Sequence, residues 1–179
     1  MRTIKFLSFL ITFSIIISSC DNTNTNSTEN AINISDSIKH YEVLLFEGDS
    51  KLITPEDALK LAKYYEQFAT ENMSDSLSPD YLFKSADIYM NMYKGNAAIN
   101  SFNLILDNFP EYKKAASALF LKAFVYEDQM QDYVNAEKYY TLFLEKYPES
   151  DFADDAEISL KNLGKTPEQL IKEFENMNK

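Results

Sequence analysis

The sequence is poor in the residues that build tight turns, metal sites and nucleic-acid interfaces. Three glycines and five prolines in 179 residues are too few for the turns of an all-β sandwich or for Gly-rich nucleotide-binding loops. A single cysteine and a single histidine exclude an internal disulfide and a Cys/His metal site. Acidic residues outnumber basic ones by 28 to 17, which argues against nucleic-acid binding because phosphate contacts need clustered Lys and Arg. With 45% apolar residues, the chain is nevertheless expected to fold.

The N-terminus has the pattern of a secretory signal. Arg2 and Lys5 precede an apolar stretch over residues 6–17, which is too short for a transmembrane helix of about 20 apolar residues. The stretch ends in Ile17-Ser18-Ser19-Cys20, which resembles the bacterial lipobox. That resemblance implies that residues 1–19 are a cleaved signal peptide and that Cys20 is diacylated. The alternative is an ordinary signal peptide that happens to contain a cysteine.

The next segment, residues 20–34, is mostly Asn, Thr and Ser, a composition typical of a flexible tether. Two acyl chains on Cys20 would hold the protein stably at a membrane. We therefore expect a lipid-anchored protein of the cell envelope, at the outer membrane and facing the periplasm. Asp21 directly after the cysteine keeps the inner membrane open as an alternative.

From residue 35 to 179 the apolar residues recur at the i, i+3, i+4, i+7 spacing of helices. Pro, Gly and capping residues divide this pattern into eight predicted helices. The first is expected at about 35–47, and the second begins at Thr54. The third begins at Ser78 and ends at a break at Lys94-Gly95-Asn96, after which the fourth continues to Pro110. The last four are expected at about 111–129, 133–147 and 151–163, and from Thr166. The fourth and sixth predicted helices are copies: sliding the chain by 38 residues pairs Ala98 with Ala136 and Pro110 with Pro148. Self-similarity at this period predicts an all-α solenoid.

Two segments, 79–112 and 115–150, resemble tetratricopeptide repeats (TPR). The residues that match the family pattern are Leu82, Ala86, Tyr89, Ala98, Phe102 and Pro110 in the first repeat, and Leu119, Ala123, Tyr126, Ala136, Tyr140 and Pro148 in the second. The turn Tyr147-Pro148-Glu149-Ser150 is similar to those of envelope TPR lipoproteins, such as the outer-membrane β-barrel assembly lipoprotein and the Tol–Pal coordinator. The resemblance implies a solenoid of stacked antiparallel helix pairs over 35–179.

In TPR proteins the first helix of each repeat lines a groove that binds peptides or partner helices. Carried onto this sequence position by position, the resemblance implies a partner-binding groove formed by Phe83, Asp87, Met90, Asn91, Phe120, Phe124, Glu127 and Asp128. Apolar residues with acids beside them suit a partner segment with hydrophobic anchors and positive charge. We expect Phe83, Met90, Phe120 and Phe124 to be partly exposed, and Tyr89, Phe102, Tyr126 and Tyr140 to be buried. The alternative is that Phe120 and Phe124 pack on the next helix.

The remaining polar clusters have plain structural interpretations. His40 lies near the start of the first predicted helix without a nucleophile in a suitable motif, so we interpret it as a partly exposed helix residue. Asp154, Asp155 and Glu157 lack the Gly-containing loop of a Ca²⁺ site and are interpreted as a solvated helix face. We predict no catalytic residue, no metal, no cofactor and no small-molecule substrate.

Two function classes follow from these features. The first is a non-enzymatic scaffold, anchored by lipid in the envelope, that binds another envelope protein or peptide segment in outer-membrane protein assembly or envelope organisation. The alternative is a carbohydrate-binding or enzymatic envelope lipoprotein, which would need clustered carboxylates or aromatic residues on one open face. Partner capture from envelope membranes would discriminate between the two.

Overall fold

The computed structural model describes residues 25–47 and 54–177. The predicted signal peptide 1–19 and the predicted lipidation site Cys20 lie outside these residues. Helices are the only regular elements in the described segments: α1 (Thr25–Glu42) with a π-helical extension (Val43–Glu47), α2 (Pro55–Glu71), α3 (Ser78–Asn91), α4 (Gly95–Asn108), α5 (Ala115–Asp128), α6 (Tyr133–Lys146), α7 (Ala153–Asn162) and α8 (Pro167–Met177). None of the helices in these segments is long and apolar enough to cross a membrane.

Helix α1 differs from the sequence prediction at its N-terminus. It begins at Thr25, well before the predicted start at residue 35, so the latter part of the predicted tether is helical. Ile34 lies one turn before Ile38, and both side chains are buried in a cluster with Leu61 and Tyr65 of α2. This contact stabilises the helix N-terminal to residue 35, and extending an existing helix is easier than nucleating one.

The predicted start of α2 is confirmed in detail. The Thr54 hydroxyl accepts a hydrogen bond from the Asp57 backbone N–H at 3.2 Å, and the Asp57 carboxylate accepts from the Thr54 backbone N–H at 3.4 Å. Pro55 occupies the first helical position, where its missing N–H is not needed. Helix α3 begins at Ser78 as predicted. The buried Ser78 hydroxyl does not cap the helix, however. It donates a hydrogen bond of 2.6 Å to the backbone carbonyl oxygen of Asn72.

The helices pack in sequence order, each against the next from α1 to α7. Alanines that are fully buried lie where neighbouring helices approach, and they belong to the clusters shared by these helices: Ala62, Ala69, Ala86, Ala98, Ala118, Ala123, Ala136 and Ala156. Small side chains allow helix axes to approach at the close end of the usual range of about 8–10 Å. The result is an all-α solenoid of stacked antiparallel helix pairs, as the sequence predicts.

The predicted break before α4 is a helix boundary with one unexpected feature. Tyr93, two residues after the end of α3, adopts a left-handed conformation with φ +52°. Gly95 is the first residue of α4 and is buried, and a β-carbon there would lie 2.9 Å from the Met130 sulfur. The glycine therefore permits a close approach between the start of α4 and the end of α5.

Candidate partner-binding surface

Helices α3 and α5 carry the eight residues predicted to form the groove. The C-terminal ends of these two helices are joined by a hydrogen bond of 2.9 Å from the Gln129 side-chain amide to the Met90 carbonyl oxygen. The bond brings the ends of the two predicted stripes together. It does not bring every predicted residue to the surface.

Phe120 is a core residue, and the expectation that it is partly exposed is wrong. Its side chain is 9% exposed. Its ring centroid lies 4.9 Å from that of Phe152, with the rings stacked, and 5.6 Å from those of both Tyr140 and Phe143. Tyr140 and Phe143 belong to α6, and Phe152 directly precedes α7, so the elements that follow α5 in the solenoid cover Phe120. The alternative interpretation, packing on the next helix, is correct for this residue.

Phe83 is half-buried but is already in contact with other side chains. Its ring makes edge contacts with the rings of Phe102 and Tyr112, with centroids 6.1 Å and 6.5 Å away. The Lys114 ammonium lies 4.5 Å from the centroid of the Phe83 ring. A cation over the ring face is a favourable contact. Phe83 therefore contributes to packing, and only part of its surface is open to a partner.

Glu127 is also engaged within the fold. Its carboxylate accepts a hydrogen bond of 2.8 Å from the hydroxyl of Tyr140, whose ring is fully buried. Burial, together with the Glu127 carboxylate, raises the pKa of Tyr140 well above its usual value, because ionised tyrosine would be poorly solvated there. Tyr89 and Phe102 are buried as predicted, whereas Tyr126 is only half-buried and stacks on Tyr139 at 5.3 Å.

The predicted residues that remain accessible lie in the C-terminal halves of α3 and α5, whose ends the Gln129 side chain joins. Asp87, Asn91 and Asp128 are exposed, Phe124 is 37% exposed, and Met90 is half-buried. We call these five residues the helix-end surface. It combines one open aromatic ring with two carboxylates.

The electrostatics of the helix-end surface favour a cation. Asp128 is the last residue of α5 and Asp87 directly precedes the last turn of α3, and neither last turn contains a basic residue. The C-terminus of a helix carries a partial negative charge from its free carbonyl groups. The carboxylates and the two helix ends therefore add to the same negative potential.

Hydrogen bonds between tyrosine and carboxylate groups link the repeats, and no sequence pattern named above predicts them. Four such bonds join successive helices or repeats: Tyr65 to Glu42 at 2.6 Å, Tyr89 to Glu66 at 3.2 Å, Tyr112 to Asp80 at 2.6 Å and Tyr140 to Glu127 at 2.8 Å. Two of the pairs have the same separation of 23 residues. An acid recurring at this distance before a core tyrosine is the signal that could have revealed them.

The other polar residues agree with their structural interpretations. Asp154, Asp155 and Glu157 are exposed on α7, and His40 is exposed on α1 with its ring against Tyr41. In residues 25–47 and 54–177, no group of three or more His, Cys, Asp or Glu side chains is arranged to hold a metal ion.

Comparison with known proteins identifies one repeat. Residues 117–150 match the tetratricopeptide repeat family, and this segment lies within the predicted second repeat, 115–150. No curated protein and no solved structure matches the chain. The match spans most of α5, all of α6 and the turn that follows. The described chain is therefore an all-α, tetratricopeptide-like solenoid, and its α5–α6 pair carries the family's repeat.

Proposed function

We propose that this protein is a lipid-anchored scaffold of a bacterial cell envelope that holds another envelope protein through its helical domain. The tetratricopeptide repeat supports the scaffold role, since such repeats generally bind proteins or peptides. Cys20 within its lipobox-like sequence supports the anchor. The outer membrane, facing the periplasm, is the proposed address, and outer-membrane protein assembly or envelope organisation is the proposed setting.

The observation that carries the proposed binding mode is the composition of the helix-end surface. Phe124 offers an accessible ring, while Asp87 and Asp128 lie at the negative ends of their helices. Aromatic residues are frequent energetic centres of interfaces, and complementary charge guides the choice of partner. The partner segment is therefore proposed to carry an apolar anchor next to Lys or Arg.

The binding mode can be tested by crosslinking in living cells. A photo-crosslinking amino acid at position 91 should capture a specific envelope protein, and Phe124→Asp should abolish the capture. Val134→Asp is the matched control, because Val134 is 79% exposed on α6 and an acid there is compatible with the start of a helix. If Phe124→Asp leaves the capture unchanged, the helix-end surface is not the binding site.

The anchor has its own test. Cys20→Ala should prevent incorporation of a palmitate analogue and release the protein from membranes, because the acyl chains supply the membrane affinity. Ser18→Ala keeps a small residue before the cysteine and should leave labelling intact. Equal labelling with and without Cys20 would refute the lipoprotein assignment and leave the interaction role standing.

A further inference from the structure

A tripeptide of Asp, Ser and a large aliphatic residue occurs twice in the sequence, as Asp36-Ser37-Ile38 and as Asp75-Ser76-Leu77. It is similar to the Asp-Ser/Thr-apolar sequence at which O-linked glycans are attached to proteins of some Gram-negative envelopes. A pattern of three residues has to be judged by its structural context, because the acceptor hydroxyl must reach the active site of a transferase. The structure places the two copies in different contexts.

The first copy lies inside helix α1 and is poorly accessible. Ile38 is only 2% exposed and belongs to the buried cluster with Leu61 and Tyr65 of α2. Ser37, directly before it, is half-buried. A transferase would have to unwind α1 and withdraw Ile38 from the core to enclose this serine. The first copy is therefore not an acceptor in the folded protein.

The second copy lies in the turn that joins α2 to α3. Asp75, Ser76 and Leu77 are all exposed there, and the leucine side chain is 47% exposed. All three side chains that form the tripeptide are therefore accessible to an enzyme at the same time, without any change in the packing of the helices.

Hydrogen bonds on either side of Ser76 give this turn a defined shape. The Asp75 carboxylate accepts a hydrogen bond of 2.8 Å from the Leu77 backbone N–H, an arrangement typical of aspartate in turns. At the base of the turn, the Asn72 carbonyl oxygen accepts from the Asp75 backbone N–H at 2.8 Å and from the Ser78 hydroxyl at 2.6 Å. Ser76 thus lies in a folded, exposed turn that a transferase can enclose without unfolding either helix.

Ser74 provides a comparison within the same turn. It is exposed like Ser76, but Met73 precedes it and Asp75 follows it. Exposure alone therefore does not distinguish the two serines, whereas the flanking aspartate and leucine do. The turn thus contains one serine with the complete pattern and one without it.

We propose that Ser76 is a site of O-glycosylation. The inference rests on the proposed export to the envelope, since the sugar donor, a glycan carried on a lipid diphosphate, is presented outside the cytoplasm. The Ser76 Oγ forms a bond to the anomeric carbon of the first sugar and gives its proton to a base of the transferase. The bond from that carbon to the phosphate oxygen breaks, and the lipid diphosphate leaves with the electron pair.

A glycan at Ser76 leaves the helix-end surface accessible. The turn precedes α3, whereas Asp87 and Asn91 lie in the C-terminal half of that helix. Helix α3 has 14 residues, and at about 1.5 Å per residue it is roughly 20 Å long. A glycan is bulky and increases solubility, so at this end of α3 it covers the exposed Leu77 and not the proposed partner site.

Mass spectrometry of the protein purified from the envelope of its native bacterium tests the proposal. The tryptic peptide 64–84 contains the whole turn, and fragmentation should locate at least one sugar on Ser76. Ser76→Ala should abolish the mass increase, and Ser76→Thr should keep it because threonine also offers a hydroxyl. Ser74→Ala is the matched control in the same turn and should leave the modification unchanged.

Variants of the flanking residues separate recognition from accessibility. Asp75→Asn keeps an oxygen that can accept the Leu77 N–H but removes the charge, and Leu77→Gln removes the apolar side chain. Both should abolish the modification while the far-ultraviolet circular dichroism stays unchanged.

Three results would overturn the proposal: modification of either flanking variant as in the parent protein, a glycan on Ser74 instead of Ser76, or an unmodified Ser76 in protein recovered from the envelope. The last result would leave the proposed function standing. Unmodified protein found in the cytoplasm with residues 1–19 still attached would contradict the proposed function as well.

Discussion

Replacing Phe120 with alanine should lower the free energy of unfolding by about 3–5 kcal/mol, the usual cost of removing a buried phenylalanine. The side chain is 9% exposed and contacts the rings of Tyr140, Phe143 and Phe152. Such ring pairs contribute about 0.5–1.5 kcal/mol each beyond burial of area. The upper half of the range is therefore expected, because three ring contacts are lost together.

Phe124→Ala provides the matched comparison on the same helix. This ring is 37% exposed, so its removal should cost only about 1–2 kcal/mol, less than the full transfer free energy of a phenylalanine plus a cavity. The two variants lose the same atoms, so the difference between them measures the environment of each ring. If Phe120 is a core residue, its replacement must lower the free energy of unfolding by more than the replacement of Phe124 does.

Urea unfolding followed by far-ultraviolet circular dichroism measures both values. With a denaturant dependence of about 1–3 kcal/mol per molar urea, the loss at Phe120 should move the midpoint down by at least about 1 M. A loss at Phe120 no larger than at Phe124 would refute the reasoning, since it would mean that Tyr140, Phe143 and Phe152 do not cover Phe120 in solution.

Three further predictions test the packing and the tyrosine bonds. Ala123→Leu should lower the free energy of unfolding by about 1–3 kcal/mol through overpacking, because Ala123 is fully buried in the α5–α6–α7 cluster; an unchanged thermal melt would show that the repeat register is wrong. Tyr140→Phe should cost about 1 kcal/mol in urea unfolding, because it removes the hydrogen bond to the half-buried Glu127; no loss at all would mean that the bond is absent in solution. Burial raises the pKa of Tyr89 to about 12. The neutral tyrosine therefore stabilises the folded state, and this contribution is fully present below about pH 10, the pKa of an unfolded tyrosine. That contribution should be lost as the pH rises towards 12, and urea midpoints that stay constant over this range would contradict it.

The sequence alone determined the fold class, because periodicity and helix boundaries are local properties. Thr54, Pro55 and Asp57 specify the start of α2 through contacts within one turn, and the 38-residue repeat predicts stacked helices. The start of α1 was not predictable in this way. Its extension before residue 35 depends on Ile34 contacting α2, a contact between residues far apart in sequence.

The composition of the partner-binding surface was decided only by the tertiary structure. Helical spacing places Phe120 and Phe124 on one stripe, but it does not show where the next helix lies. Rings of α6 and Phe152, which directly precedes α7, cover Phe120 and leave Phe124 open. The contact between Lys122 and Tyr139 depends on tertiary structure in the same way: nothing in the sequence pairs these two residues, and their side chains meet only because α5 and α6 pack together.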